Sequence, residues 1–412
     1  MPSQHHLVPH LFRQEFGKIT SVLCKHFTFD HIEVAEDIAS ETFLSALEVW
    51  TYKGIPEKPE AWLYTVAKNK ALNYFKRQQA FNEKVGPEIK SETGSHFVPD
   101  ITFESIYDSQ LQMLFVLCHP SISTESQIAL SLKILCGFSV DEIATAFLSN
   151  KETIAKRIQR AKEKLREEKI VIDLPPETEI QIRLDTVLTT LYLLFSEGYY
   201  SESDNAVVRE DLCHEAIRLT EILVQNPLTS APKVYALLAL MCFHTSRLPA
   251  RKNTNGELVL YADQDESLWD HDMISRGVVF MKQASQGNVL SKYHLEAAIA
   301  YWHTRKEDNL EKWENILSLY NHLLKLAYSP IAALNRTYAL FKARGSEKAI
   351  VEAEKLKLQN NQYYHVLLAE LYAVDDPSKA IRSLNDALLH TKTNAERQVI
   401  ERRIELLQRR LS

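Results

Sequence analysis

The chain has 412 residues and a formal charge of −6, with 10 Gly, 14 Pro and 5 Cys. That length exceeds one ordinary core and predicts two or three domains. The acidic balance excludes a protein that coats nucleic acid by bulk attraction, so any contact with DNA must be a local basic patch.

Glycine is scarce and helix-period apolar patterns recur almost everywhere, while strand signals are nearly absent, which predicts an all-α fold. Cys24, Cys118, Cys136, Cys213 and Cys242 show no CxxC spacing, so free thiols in a reducing compartment are expected, with no metal and no cofactor. The N-terminus lacks a basic-then-apolar leader. Apolar runs such as VYALLALMCF from Val234 are too short to span a bilayer, so a soluble, cytoplasmic protein without a membrane partner is expected.

The first helical block covers residues 7–79. In HIEVAEDIASETFLSALEVW, Val34, Ile38, Leu44 and Leu47 are predicted on one side of a helix, and Glu33, Glu36, Asp37, Glu41 and Glu48 on the other. PEAWLYTVAKNKALNYFKRQ then interleaves Trp62, Tyr64, Tyr74 and Phe75 with Lys68, Lys70, Lys76 and Arg77, with no acid after Glu60. Rings beside cations suit unpaired bases and their backbone, although bulk favours the core for Trp62 and Leu63. The turn-rich stretch over residues 80–102 reads as a linker.

The second block, residues 103–172, holds SVDEIATAFLSNKETIAKRIQRAKEKLR from Ser139 to Arg166, which reads as a helix-turn-helix. Ser139 with Glu142, and Ser149 with Glu152, predict a capping box at each helix start. Ile154, Ile158, Ala161 and Leu165 form one apolar stripe to pack on Ile143, Ala144 and Phe147, which leaves Ala155, Lys156, Gln159 and Arg160 outward. Between Lys151 and Lys169 bases outnumber acids by four. Such a helix can enter the major groove with its N-terminal half on base edges and its cations on phosphates.

Pro175 and Pro176 close that block. The third block, residues 177–412, is helical throughout. Tyr338-Ala339-Leu340 and Leu371-Tyr372-Ala373 begin similar stretches that run on to Ala349-Ile350 and Ala380-Ile381, at the tetratricopeptide period. Stacked helix pairs would form a concave surface for a protein or ligand that the sequence leaves unidentified. Asp263, Asp265, Glu266, Asp270, His271 and Asp272 gather around Trp269, but fit neither an EF-hand nor a zincin spacing, so an exposed loop pinned by a buried Trp269 is expected. His294 and His303 are expected to pack, and Arg336 to cap or pair. No nucleophile-base pair or phosphate-binding glycine loop appears, so no enzyme is expected.

Together the first two blocks resemble the two domains of bacterial extracytoplasmic-function sigma factors. AEDIASETFLSALEVW resembles the helix that docks on RNA polymerase core, WLYTVAKNKALNYFKR the element that opens and reads the minus-10 promoter motif, and the helix-turn-helix the reader of minus-35. GIPEKPEAWL, LCHPSISTESQIAL, DEIATAFL, FSEGYY, NGELVLYADQDESLWD, LEAAIAYWH and SPIAALNR resemble the subgroup with a long helical tail, so the likeness covers nearly the whole chain.

The resemblance implies four parts: sigma region 2 over residues 1–79, a linker over 80–102, sigma region 4 over 103–172, and a tetratricopeptide-like regulatory extension over 177–412. It implies that Asp37 and Glu41 touch the beta-prime coiled coil of the polymerase. Asn69 would hold a flipped minus-10 base, with Asn73, Lys76 and Arg77 following. Lys151, Thr153, Ala155, Lys156, Arg157, Gln159 and Arg160 would meet minus-35, and the tail would modulate activity. An amide suits a flipped base because it both donates and accepts. Ser40, Asn73, Leu117 before Cys118, and Glu266 after Asp265 depart from the family pattern. Outside the family, a stand-alone helix-turn-helix regulator with an effector tail, or a helical scaffold or sensor, fits the same residues.

Overall fold

The computed structural model describes residues 4–27, 29–85, 103–147, 149–200, 206–251, 259, 261–391 and 394–411. Every regular element among them is helical, as expected. No helix among them is long and apolar enough to cross a membrane. The chain divides into two compact units, Met1–Thr229 and Ser230–Ser412.

The first unit contains α1 (Gln4–Phe27), α2 (Ile32–Lys53), α3 (Pro59–Val85), α4 (Phe103–Leu117), α5 (Thr124–Leu135), α6 (Val140–Ala146), α7 (Lys151–Glu167), α8 (Glu177–Tyr200) and α9 (Ala206–Gln225). The double proline ends a block but not the unit, because α8 and α9 pack on each other and on α4, and α8 also on α5. The first block reaches Val85 rather than residue 79; the rest of the expected linker, residues 86–102, lies outside the described residues. Helix α2 stops at Gly54, whose φ of 79° only glycine adopts without strain and whose N–H caps the Trp50 carbonyl at 3.0 Å. Pro59, with φ preset and no N–H to satisfy, then opens α3.

The α2 stripe differs from the one expected. Ile32, Ala35, Ile38, Ala39, Thr42, Phe43, Ala46 and Trp50 are buried, whereas Leu44 and Leu47 are 58% and 47% exposed. Glu36, placed among the outward acids, is instead buried. At about 100° per residue Leu44 falls only about 20° from Asp37, so it belongs to the acidic face.

The second unit contains α10 (Pro232–Thr245), α11 (His271–Ala284), α12 (Lys292–Trp302), α13 (Leu310–Leu326), α14 (Pro330–Arg344), α15 (Ser346–Lys355), α16 (Gln362–Tyr372), α17 (Pro377–His390) and α18 (Asn394–Leu411). Packing runs mainly between chain neighbours, α13 with α14, α14 with α15, α16 with α17, α17 with α18. The two similar stretches fall on α14–α15 and α16–α17, and Ala349 and Ala380 are both fully buried where the paired helices approach. Trp313, Ile316, Leu317 and Leu340 centre one core cluster, and Ala380, Leu384, Ala387 and Leu407 a second.

Candidate nucleic-acid interface

Helices α6 and α7 meet at a tight turn. The capping box at α6 forms as expected: the Ser139 N–H donates to Glu142 Oε2 at 2.8 Å, and the Glu142 N–H to Ser139 Oγ at 3.2 Å. The second start lies one residue later than expected. Asn150, not Ser149, caps α7, accepting from the Thr153 N–H at 2.7 Å. An amide oxygen reaches the third helical N–H as well as a hydroxyl does, so sequence alone could not choose between adjacent capping residues.

Ile154, Ile158, Ala161 and Leu165 are buried, as are Ile143 and Ala144, while Phe147 is half-buried. Lys151, Thr153, Ala155, Lys156, Gln159 and Arg160 are exposed and Arg157 is half-buried. All seven lie in the N-terminal ten residues of α7. Lys151 meets Asp141 at 2.8 Å and Gln159 donates to Glu163 at 2.9 Å; both contacts are exposed and cost little to exchange for a ligand.

Lys162 departs from that pattern. It is buried and paired with Glu36 of α2 at 2.5 Å, with Glu33 at 3.5 Å, and Arg166 hydrogen-bonds Glu33. Burial would raise the Glu33 carboxyl, but the Arg166 bond, aided by Lys162, more than offsets it and holds the group below its ordinary range. A positive charge count cannot tell a cation facing solvent from one spent inside the protein.

On α3, Asn69, Asn73, Lys76 and Arg77 are exposed and follow the i, i+4, i+7, i+8 rule of one face. The rings offered for base stacking are committed elsewhere. Phe75 stacks on Phe27 at 4.5 Å, Tyr74 meets Phe27 edge-on at 5.5 Å, Trp62 meets Trp50 at 5.3 Å, and the Tyr64 hydroxyl donates to Glu15. Leu63 is fully buried. Between Val66 and Gln78 the exposed residues of α3 are therefore amides and cations.

On α2, Asp37 and Glu41 are exposed, and Glu41 accepts from Lys70 of α3 at 3.1 Å. The acidic face includes exposed Leu44, which the sequence reading placed on the opposite side with Val34, Ile38 and Leu47. Its seven-residue spacing from Asp37 was the signal for it. Of the departing positions, Leu117 and Cys118 are buried, Ser40 is half-buried and Asn73 is exposed.

The acidic run in the second unit serves as caps. Asp265 accepts from the Ser267 N–H and Asp270 from the Met273 N–H, both at 2.9 Å, and Trp269 is buried beside them. No metal-holding group of His, Cys, Asp and Glu occurs among the described residues. His294 caps α12 through Nδ1, which meets the Ser291 hydroxyl at 2.7 Å. His303 packs between Tyr261 at 5.2 Å and Trp313 at 6.0 Å, and burial, aided by Arg247 and Lys312, pushes its imidazole down to about 3. Arg336 pairs with Glu352 at 2.9 Å.

Residues 11–81, which carry α2 and α3, match the model of sigma-70 region 2, and residues 183–285 match a family of unknown function, DUF6596. An uncharacterized protein of Rhizobium meliloti (strain 1021) is 34% identical over 373 residues, 89% of this chain and 88% of that one. No solved structure matches the chain. Region 2 indicates a non-enzymatic, sigma-factor-like role in promoter recognition by RNA polymerase, with the polymerase core and promoter DNA as partners. The chain thus belongs to the family of the Rhizobium meliloti protein and carries a segment similar to sigma-70 region 2 ahead of one similar to DUF6596.

Proposed function

We propose that the chain is an extracytoplasmic-function sigma factor with a helical regulatory extension. Asp37 and Glu41, with Leu44 beside them, dock on the beta-prime coiled coil. Asn69, Asn73, Lys76 and Arg77 capture the melted minus-10 strand. The α6–α7 helix-turn-helix reads minus-35 through Lys156, Gln159 and Arg160, while Lys151, Thr153, Ala155 and Arg157 seat α7 against the groove and its phosphates. The helices of residues 177–412 modulate this activity.

The observation that carries the reading is the exposed amide and cation face of α3 inside the region 2 match. A flipped base costs a few kcal/mol to unstack, and Asn69 with the neighbouring cations would offset that cost with hydrogen bonds and phosphate contacts. The adjacent α2 offers carboxylates around an exposed leucine, a mixed surface suited to a helical partner.

Run-off transcription with purified core polymerase tests it. Added chain should create specific starts, and Asn69→Ala should lose strand opening while keeping duplex contact. If Arg160 reads a guanine, Arg160→Ala should cost about 1 to 3 kcal/mol at one base position. Replacing Lys151 or Arg157 should weaken all sequences alike and flatten the salt dependence by about one phosphate. Tight operator binding without polymerase, and unchanged starts with it, would instead identify a stand-alone regulator.

A further inference from the structure

Three stretches of the second unit that promoter recognition leaves unused converge on one ring: the acidic run with Trp269, the end of α12 with His303, and the start of α13. The ring is Tyr261. Trp269 stacks on it at 6.3 Å and His303 meets it edge-on at 5.2 Å, while the Arg247 guanidinium and the Lys312 ammonium lie 5.3 Å and 5.1 Å from its centre.

Lys312 is only 2% exposed. A lysine that deep ordinarily has a carboxylate beside it, because a buried ammonium loses its hydration and needs an opposite charge in return. Among the described residues it has no ion pair. Asp308, the carboxylate that acts on it most, is engaged by Lys342 at 2.6 Å and by the Trp313 indole. The Lys312 ammonium donates to the Tyr261 hydroxyl at 2.9 Å and to the Arg305 carbonyl, which leaves one of its N–H donors over.

Two more polar atoms at this ring are unmatched. Trp269 and Gln264 are each 4% exposed, and neither the Trp269 indole N–H nor Gln264 Oε1 has a partner among the described residues. Gln264 belongs to the same turn, its N–H donating to the Tyr261 carbonyl at 3.3 Å. Buried donors and acceptors are ordinarily matched, so two donors and one acceptor around one ring form a recognition pattern.

The local field has one sign. Burial pushes the imidazoles of His244 and His303 down, and the charged side chains that add to it, Arg247, Arg251 and Lys312, are all cations. Burial also lowers the Lys312 ammonium to about 8, against the pull of Asp308.

We propose that the second unit binds a small hydroxycarboxylate at Lys312, Trp269 and Gln264. The two oxygens of one carboxylate take the remaining Lys312 N–H and the Trp269 indole N–H, and the hydroxyl donates to Gln264 Oε1. A single negative charge matches the one fully buried ammonium. A second cation is disfavoured by the neighbouring Arg247, so the ligand's own donor is a hydroxyl rather than an ammonium. The site concerns the second unit alone and does not depend on the sigma reading.

The test titrates the full chain, nitrogen-15 labelled at its indoles, with glycolate, lactate and glycerate as probes and acetate and sulfate as controls. The Trp269 indole resonance, assigned by its loss in Trp269→Phe, should shift and saturate with at least one probe, and the thermal midpoint should rise with it, as for any ligand of the folded state. Lys312→Met, which keeps the bulk of the side chain, should weaken that probe by about 10-fold or more. Gln264→Leu should erase the preference for the probe over acetate, and it keeps the test decisive if Lys312→Met does not fold. If no probe saturates, or if acetate and sulfate shift the indole as strongly, the assignment is wrong. It is equally wrong if a folded Gln264→Leu chain still prefers the hydroxycarboxylate.

Discussion

Lys162 shows how much one side chain's surroundings change its meaning. A lysine on a basic helix resembles a phosphate contact, but here its ammonium is enclosed with Glu36 and Glu33. Removing one partner of a buried pair strands the other charge, so Lys162→Met should destabilise the first unit by about 3 kcal/mol, and adding Glu36→Gln should recover most of that. Urea titration of the three proteins measures both steps; equal losses from the single and double variants would deny the coupling. Gly17→Ala adds only one methyl group, yet it drives that methyl into a backbone carbonyl. It should cost at least about 2 kcal/mol by the same titration, beyond the roughly 1 kcal/mol that alanine ordinarily gains in a helix.

At the scale of an element, α7 separates two capping residues that are neighbours in the chain. Asn150→Ala should lower stability by about 1 kcal/mol because it orphans the Thr153 N–H, while Ser149→Ala should be close to neutral. Thermal melts of the two variants distinguish them. Helix α2 was legible as a helix, but its face was not read correctly, because Leu44 was grouped by hydrophobicity rather than by angle. Asn69, Asn73, Lys76 and Arg77 of α3 were singled out by the family resemblance, and their exposure on one face is consistent with their i, i+4, i+7, i+8 spacing. The fate of Phe75 and Tyr74 was not legible, because the residue they pack on, Phe27, comes from another helix.

For the molecule as a whole, titration links its chemistry to stability. Glu33 and Glu142 sit below the ordinary carboxyl value; burial opposes this, but hydrogen bonds and ion pairs win, from Arg166 for one and from Ser139 and Arg13 for the other. Their folded values lie below the unfolded ones, so their stabilisation is complete above about pH 4.5 and is lost as pH falls through the lower folded values. His303 carries the same sign with a wider window. Its imidazole is pushed from 6.5 to about 3, so the unfolded chain takes up the proton first and stability drops as pH falls below about 6.5. His303→Gln should flatten the loss of urea midpoint for the second unit between pH 7 and pH 5; an unchanged slope would show that His303 does not carry it.

Periodicity, caps and breakers act over a few residues, and so the sequence by itself determined that this protein is helical, where α6 begins, and which side chains share the outward face of α7. Its likeness to sigma factors was likewise carried by local motifs. Only the tertiary structure decided that α8 and α9 join the N-terminal unit rather than the tail, that Glu36 and Lys162 are buried together, and that Arg13 ties three segments. Those outcomes depend on contacts between residues 63 or more positions apart. A carboxylate or ammonium reads the same in sequence whether water or an opposite charge will solvate it, and that choice is made when the helices pack.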